Sequence, residues 1–465
     1  MRRVLKGPES VQFIRSLLGH SPLKFLAVAA LAVALPNIAR AEAWLVIEAD
    51  SGRVLQADNA TMPWYPASVT KIMTAYVTLK AVKEGRLSLE RTLTVSPVAA
   101  SQSPSKMGFK PGTLVTVENA LAMMMVKSAN DMAVVLAEGV GGSVDGFSTM
   151  MNQTAQRLGM TQTTYVNPNG LPADGQVTSA RDLAILARAV IRDLPEYEYF
   201  MHIPAIRFGR RTVNNFNKLI GRYPGADGFK TGFICASGYN LVASATRNGK
   251  RLIAVVLGSS SGQARAIRAA QLLERGFGNG LAWLRPSLGT VDSLAPIDAS
   301  PPNLREEMCS GKRKRPATDE DDSSMTVAAS GESGMTFFAA GLQGPMPKAS
   351  ELLLADVPVG EPMVVYTGPK KSGAALIAAV ATDSEKQTTR RGKRSRVAAK
   401  KPDGAAEPKA AETRTAAKPK VQHAAAKPDA AAAAKPAAAG AKPAAKPAAK
   451  PNATAKPKAE TKPAS

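Results

Sequence analysis

The chain has 465 residues, two cysteines and a formal net charge of +23. That length allows one large domain with additional segments, and two cysteines exclude a disulfide framework. The charge is local: residues 386–465 carry 20 Lys+Arg against 5 Asp+Glu, +15 of the total +23.

Along the chain, Arg2, Arg3, Lys6, Arg15 and Lys24 form a basic leader around the start of an apolar run, Phe25 to Leu35, that Pro36 ends. Ala39-Arg40-Ala41 fits a small-x-small cleavage site, so residues 1–41 read as an export signal. The apolar run is shorter than the roughly 20 residues needed to span a bilayer. An exported protein, periplasmic or attached to the cell envelope, is therefore expected.

Trp44 to Ile47 and Arg53 to Gln56 read as strands around the turn Asp50-Ser51-Gly52. A helix opens at Ser68 and runs to about Lys80. Val117 to Met125 reads as a buried helix in which Met123, Met124 and Met125 fill core space. It is interrupted at Ser128-Ala129-Asn130, and a second helix follows from Asp131 to Glu138. Asp145 to Leu158 is amphipathic and stops at Gly159. Ser179 to Asp182 resembles a capping box that starts a helix to about Asp193. Tyr239 to Thr246 and Arg251 to Leu257 flank Asn248-Gly249, a type I′ hairpin signal, and Gly262 to Gly276 reads as a final helix. Early and late strands with helices between them predict an antiparallel sheet assembled from both ends of this region.

Beyond Leu284 the signal weakens, and only Met363 to Thr367 and Ala374 to Ala381 suggest order. Cys235 and Cys309 could form a single bridge, but Cys309 falls in a stretch that reads as irregular, so pairing is not expected. Residues 386–465 are Ala, Lys and Pro with almost no large apolar side chain, which predicts disorder.

Three motifs carry the chemistry. Ser68-Val69-Thr70-Lys71 puts a hydroxyl and an amine three residues apart on one helical face. Ser128-Ala129-Asn130 and Lys230-Thr231-Gly232 follow in the order known for penicillin-binding proteins and class A β-lactamases. Serine needs a base, and the three histidines are poor candidates: His20 lies in the leader, His423 in the tail, and His202 has no acidic partner motif. Lysine can serve where burial or a second cation disfavours its ammonium form, and Lys230 would be that second cation. The Ser68 N–H at a helix start and the Phe233 N–H would hold an oxyanion. Gly232 would let a substrate approach the strand, and Lys230 with Thr231 would hold a carboxylate. Asn130 would hold a substrate amide and orient Lys71, and Ser128 would relay a proton. No metal site and no cofactor is expected.

On these residues the chain resembles the low-molecular-mass penicillin-binding proteins, the serine-type D-alanyl-D-alanine carboxypeptidases. Tyr65 to Thr74 is similar to the family's nucleophile segment and Lys127 to Asp131 to its second motif. Asn169-Gly170-Leu171, Gly175-Gln176 and Ser179 to Asp182 are similar to its middle block. Asp227 to Gly232 and Gly238 to Val242 are similar to its third. The resemblance covers about 43–280. It implies an α+β fold of the serine β-lactamase and penicillin-binding-protein kind, an antiparallel sheet flanked by helices. It implies removal of the terminal D-Ala from peptidoglycan stem pentapeptides through an acyl-enzyme on Ser68, with Lys71 as base and β-lactams as covalent inhibitors. By position after the hairpin, Arg265 would help bind the terminal carboxylate. Ile234 departs from the family, which often has a hydroxyl residue there.

The expected organisation is a signal over 1–41, a catalytic domain over 42–283, a weakly ordered linker over 284–385 and a disordered tail over 386–465. A D,D-endopeptidase acting on cross-links would use the same residues. A β-lactamase-like hydrolase is the other alternative, but no glutamate lies between Glu138 and Glu196 to activate a deacylating water. The basic tail would meet anionic lipid or acidic wall polymers, or act as a solvated spacer; export argues against nucleic acid.

Overall fold

The computed structural model describes residues 42–278, 287–310, 352–353 and 360–398. The leader at 1–41 and the tail from 399 onward lie outside the described residues.

Period-two alternation builds the main sheet. Strands β1 (Ala43–Glu48), β2 (Val54–Asp58), β7 (Ala226–Ile234), β8 (Gly238–Arg247) and β9 (Lys250–Ser259) form one antiparallel sheet in the order β2-β1-β9-β8-β7. Leu45, Ile47, Val242, Ile253 and Val255 point into one core. Their neighbours Val46, Leu241, Ala243, Leu252 and Ala254 point into a second. Both faces are therefore apolar, and both need helices. Helix α7 (Gly262–Phe277) covers the second face with Ala266, Ala269, Leu272 and Leu273. The other face packs against α1 (Lys71–Lys83) and α6 (Ala180–Asp193). At the β8–β9 turn Asn248 has φ 49° and Gly249 φ 74°, the two left-handed residues that a type I′ turn requires.

A helical layer lies beyond α1. It contains α2 (Pro97–Ser101), α3 (Val117–Val126), α4 (Asn130–Gly141) and α5 (Val144–Leu158), beside a small ribbon of β3 (Thr92–Thr94) and β4 (Leu114–Thr116). Met123, Met124 and Met125 are fully or almost fully buried there, as core filling requires. The helix starts carry local instructions: Thr116, Ser143, Ser179 and Ser261 each accept the backbone N–H three residues on. Only half of the expected capping box forms at Ser179. The Asp182 carboxylate accepts instead from the Gln162 N–H, the Thr163 hydroxyl and the Arg181 guanidinium, and burial pushes its carboxyl up.

Of the linker expected over 284–385, the structure describes 287–310, 352–353 and 360–385. Residues 287–310 run back along the domain: the Val54 N–H donates to Gly289 O, the Val291 N–H donates to Gly52 O, and Gln162 Nε2 donates to Ile297 O. Val291 is fully buried and Leu304 is 3% exposed. A one-turn helix, α8 (Arg305–Cys309), ends in a disulfide to Cys235 with a Cα–Cα distance of 5.7 Å. The two cysteines pair, contrary to expectation, because only Leu304 and Met308 anchor α8, too few positions to show a period. Further on, β10 (Met363–Val365) joins β5 (Ala205–Phe208) in parallel, and β6 (Arg211–Asn214) completes a three-stranded sheet. Asn119 Nδ2 donates to Tyr366 O and the Gly368 N–H donates to Leu114 O. Helix α9 (Gly373–Ala398) starts where order was expected but continues past the boundary placed at 386. No described helix is long and apolar enough to cross a membrane.

The role of β10 is testable by truncation. A chain ending after Ala398 should melt like the full chain. One ending before Gly360 loses Val365, which is fully buried, and burying a valine side chain is worth about 1.5–3 kcal/mol. Calorimetry should show a Tm roughly 3 °C lower or more. Equal melting of the two truncations would remove β10 from the domain.

Candidate active site

Ser68 lies half-buried in a 3-10 turn, Ala67–Thr70, that runs straight into α1 at Lys71. The tighter winding was not expected, and it improves the pairing, because side chains at i and i+3 eclipse in a 3-10 helix. Lys71 is fully buried. Its Nζ donates to Ser68 Oγ at 2.9 Å, to Asn130 Oδ1 at 2.7 Å and to the Asn169 carbonyl at 2.6 Å. The first two motifs therefore meet at one nitrogen.

Asn130 opens α4. Its Nδ2 donates to Ser103 O at 2.9 Å and its N–H to Ser105 O at 2.8 Å, so its side-chain oxygen is left facing Lys71. Next to it, the Asp131 carboxylate accepts from the Met107, Gly108 and Met132 N–H groups, and burial pushes its carboxyl up. Ser128 sits at φ 59° and is 4% exposed, yet its Oγ finds no protein partner. A buried hydroxyl left open two residues from Asn130, which bonds Lys71, is suited to meet a ligand.

The third motif arrives on β7. Lys230 and Thr231 are each 1% exposed, and Lys230 Nζ donates to Thr231 O at 3.2 Å. A Cβ on Gly232 would lie 2.7 Å from Ser68 N and 2.9 Å from Val69 N. What approaches this glycine is thus the nucleophile turn itself, whereas a substrate was expected. A second glycine meets the same turn: a Cβ on Gly170 would lie 1.8 Å from Ala67 O and 3.0 Å from Ser68 N. Ala67 has φ 51°, a left-handed conformation that alanine rarely adopts. Asn240 Nδ2 holds the approach to it by donating to Tyr65 O at 3.0 Å and Pro66 O at 3.1 Å.

Arg265 is buried, and its guanidinium donates to the carbonyls of Gly232 and Asn240, each at 3.4 Å, over the Tyr239 ring. It braces the strand that carries Gly232. Phe233 is the next residue on that strand, paired with Tyr239. His202 follows the 3-10 segment Pro195–Met201 and makes no hydrogen bond to the Ser68 cluster. Among the described residues no three His, Cys, Asp or Glu side chains are grouped to hold a metal. A cavity of about 420 Å³ between α1 and α5, lined by Tyr76, Lys80, Met150 and Arg157, contains none of the motif residues. Converging hydrogen bonds, not cavity size, locate this site. Asn169, Gly170 and Asn240 lie in blocks that matched the family, but nothing local in their sequence assigns them these contacts.

A protein-family profile described as D-alanyl-D-alanine carboxypeptidase matches residues 30–261. D-alanyl-D-alanine carboxypeptidase DacC of Escherichia coli is 40% identical over 245 residues, 51% of this chain and 61% of its own length. D-alanyl-D-alanine carboxypeptidase DacA of Haemophilus influenzae is 34% identical over 281 residues, 59% of this chain and 72% of its own length. The crystal structure of penicillin binding protein 5 from Haemophilus influenzae is 36% identical, covering 50% of this chain and 70% of that chain with a TM-score of 0.49. The match thus spans less than two thirds of the Escherichia coli relative.

Two glycines with the same backbone conformation separate contact from conformation. Gly170 has φ 82° and Gly175 φ 80°, but an added Cβ at Gly175 meets nothing within 4 Å. Gly175→Ala should cost only the left-handed penalty, about 1–2 kcal/mol. Gly170→Ala should cost clearly more and slow acylation of Ser68 by penicillin at least tenfold. Similar melting and acylation of the two variants would show that the Ala67 turn is not held by this contact.

Proposed function

The chain belongs to the D-alanyl-D-alanine carboxypeptidase family, and we propose that it is an exported serine enzyme removing the terminal D-Ala from peptidoglycan stem pentapeptides. The carrying observation is the buried Lys71 amine, 2.9 Å from Ser68 Oγ and 2.7 Å from Asn130 Oδ1. In its neutral form Lys71 takes the Ser68 proton as Oγ bonds to the carbonyl carbon of the penultimate D-Ala. The Ser68 and Phe233 N–H groups hold the oxyanion. The C–N bond then breaks, and the proton passes from Lys71, through the open Ser128 hydroxyl, to the departing D-Ala nitrogen. Water completes the cycle by hydrolysing the ester. Lys230 and Thr231 hold the terminal carboxylate. Arg265 supports this group through the Gly232 carbonyl, and Asn130 positions the substrate amide while orienting Lys71.

Penicillin acylates the same serine and stays bound. Residues 139–195 contain no glutamate, and the stretch that reaches Lys71 presents the Asn169 carbonyl. This supports slow deacylation over a β-lactamase reading. An endopeptidase would share the same machinery, and no observation favours it.

The test compares a free-acid pentapeptide with its C-terminal amide. Ser68→Ala should release no D-Ala. Lys230→Ala should lose roughly tenfold to a hundredfold on the free acid, since a hydrogen bond to a charged group is worth about 1.5–3 kcal/mol. The amide should be a poor substrate and nearly indifferent to the change. Equal turnover of acid and amide by the wild type would contradict the carboxylate role.

The basic tail belongs to the same proposal. The +15 over residues 386–465 holds the enzyme near anionic envelope surfaces, each basic residue adding on the order of 1 kcal/mol before screening. Removing residues 399–465 should leave turnover of small peptides unchanged and reduce sedimentation with anionic vesicles, with the difference fading as salt rises. Unchanged sedimentation at low salt would leave the tail a spacer.

A further inference from the structure

The Cys235–Cys309 bridge lies just past the end of β7, the strand that carries Lys230, Thr231 and Phe233. If Lys230 and Thr231 hold the terminal carboxylate and the Phe233 N–H holds the acyl oxygen, the direction of the bound peptide is set. Its C-terminus lies towards residue 230, and its upstream residues run past Phe233 towards 234–236. β7 is the end strand in the sheet order, so an extended peptide can lie antiparallel along it. Cys235 is two residues past Phe233, within about 7 Å at roughly 3.3 Å per residue.

This end of the strand is not an ordinary turn. The Leu304 N–H donates to Ala236 O at 3.0 Å, and Trp64 Nε1 donates to Ser237 O at 3.0 Å. The disulfide then fixes α8 to the same turn. Leu304 and Met308 face the core, while Asn303, Arg305, Glu306 and Glu307 are exposed. Ile234, half-buried, takes the place of the hydroxyl residue usual in the family. The tether thus fixes a segment with four exposed polar side chains to the turn that ends the strand.

The geometry points to the disulfide-tethered segment 303–310 as a specificity element that positions the stem peptide upstream of the acyl D-Ala. The tether acts on Ile234 to Ser237, so Cys235 and Cys309 are positioning residues. The inference rests on the carboxypeptidase reading for its substrate direction. It predicts that selection between long and short donors depends on the bridge.

The experiment uses the mature full-length chain with two donors, a stem pentapeptide and N-acetyl-D-Ala-D-Ala, which ends at the acyl residue. Oxidised enzyme should have a lower KM for the longer donor. C235S/C309S, or wild type treated with a phosphine reductant, should lose that preference by roughly threefold to tenfold, the range for one or two lost hydrogen bonds. The change should appear in KM for the long donor, with kcat on both donors kept. Reoxidation of the reduced wild type should restore the preference, which separates the effect from misfolding. A preference that survives reduction overturns the inference, as does a parallel fall of kcat on both donors, which would make the bridge a general brace. A second readout does not need peptide hydrolysis: benzylpenicillin carries an upstream acylamino chain and 6-aminopenicillanic acid does not. Reduction should slow acylation by the first more than by the second, and equal slowing overturns the inference. Loss of all D-Ala release by oxidised enzyme, with this penicillin difference intact, would count against the carboxypeptidase reading alone.

Discussion

The centre of this molecule depends on bare backbone touching backbone. Gly232 and Gly170 both press on the Ala67–Ser68 turn, at distances that leave no room for a Cβ. Ala67 holds a left-handed φ, a strain of order 1–3 kcal/mol that persists only where the surroundings over-determine it. Asn240 supplies part of that determination through the Tyr65 and Pro66 carbonyls. The turn then delivers Ser68 one 3-10 step ahead of Lys71. A buried amine must have its hydrogen bonds met, and three segments far apart in sequence meet those of Lys71: its own turn, the start of α4 and the 167–170 loop.

The two halves of the fold do different jobs around that turn. The sheet side brings Lys230, Thr231 and Phe233 on one rigid strand, braced by Arg265 through Gly232 and Asn240. The helical side brings Ser128 and Asn130 at the break between α3 and α4, where the 103–108 loop ties down Asn130 and Asp131. In the proposed mechanism the groups that hold charge thus sit on a strand, and those that pass protons sit at helix ends. Positions on rigid elements hold their geometry better than positions on loops.

Features with local causes were legible in the sequence. The Asn248-Gly249 turn, the Ser179 cap and the three motifs each state their structure within a few residues. The sheet drawn from early and late strands followed from their order alone. Features whose cause lies across the fold were not legible. Asn240 lies in a strand and Asn169 in a block similar to the family, and neither position states its contact until Tyr65 and Lys71 are placed beside them. The bonds of Arg265 to the Gly232 and Asn240 carbonyls likewise have no local signal. Order at Met363 to Thr367 was expected and β10 lies there, but its pairing with β5 and the Cys235–Cys309 bridge were not legible, for one reason. Val291, Leu304, Met308 and Val365 are single apolar anchors among prolines and charges, held by long-range backbone bonds that leave no periodic trace.

The register of β1 carries a consequence for how the chain is born. Ala43 pairs with Leu257 and Glu48 with Leu252, so the strand made first waits for one made roughly 200 residues later. At about 5–20 residues per second of synthesis, that delay is on the order of ten to forty seconds. During it, Leu45, Val46 and Ile47 have no partner strand on their β9 side, and closing so long a loop makes the pairing slow. An unpaired apolar strand is a template for wrong partners. Until the last hairpin exists, β1 has only β2 to pair with, and its other edge stays open.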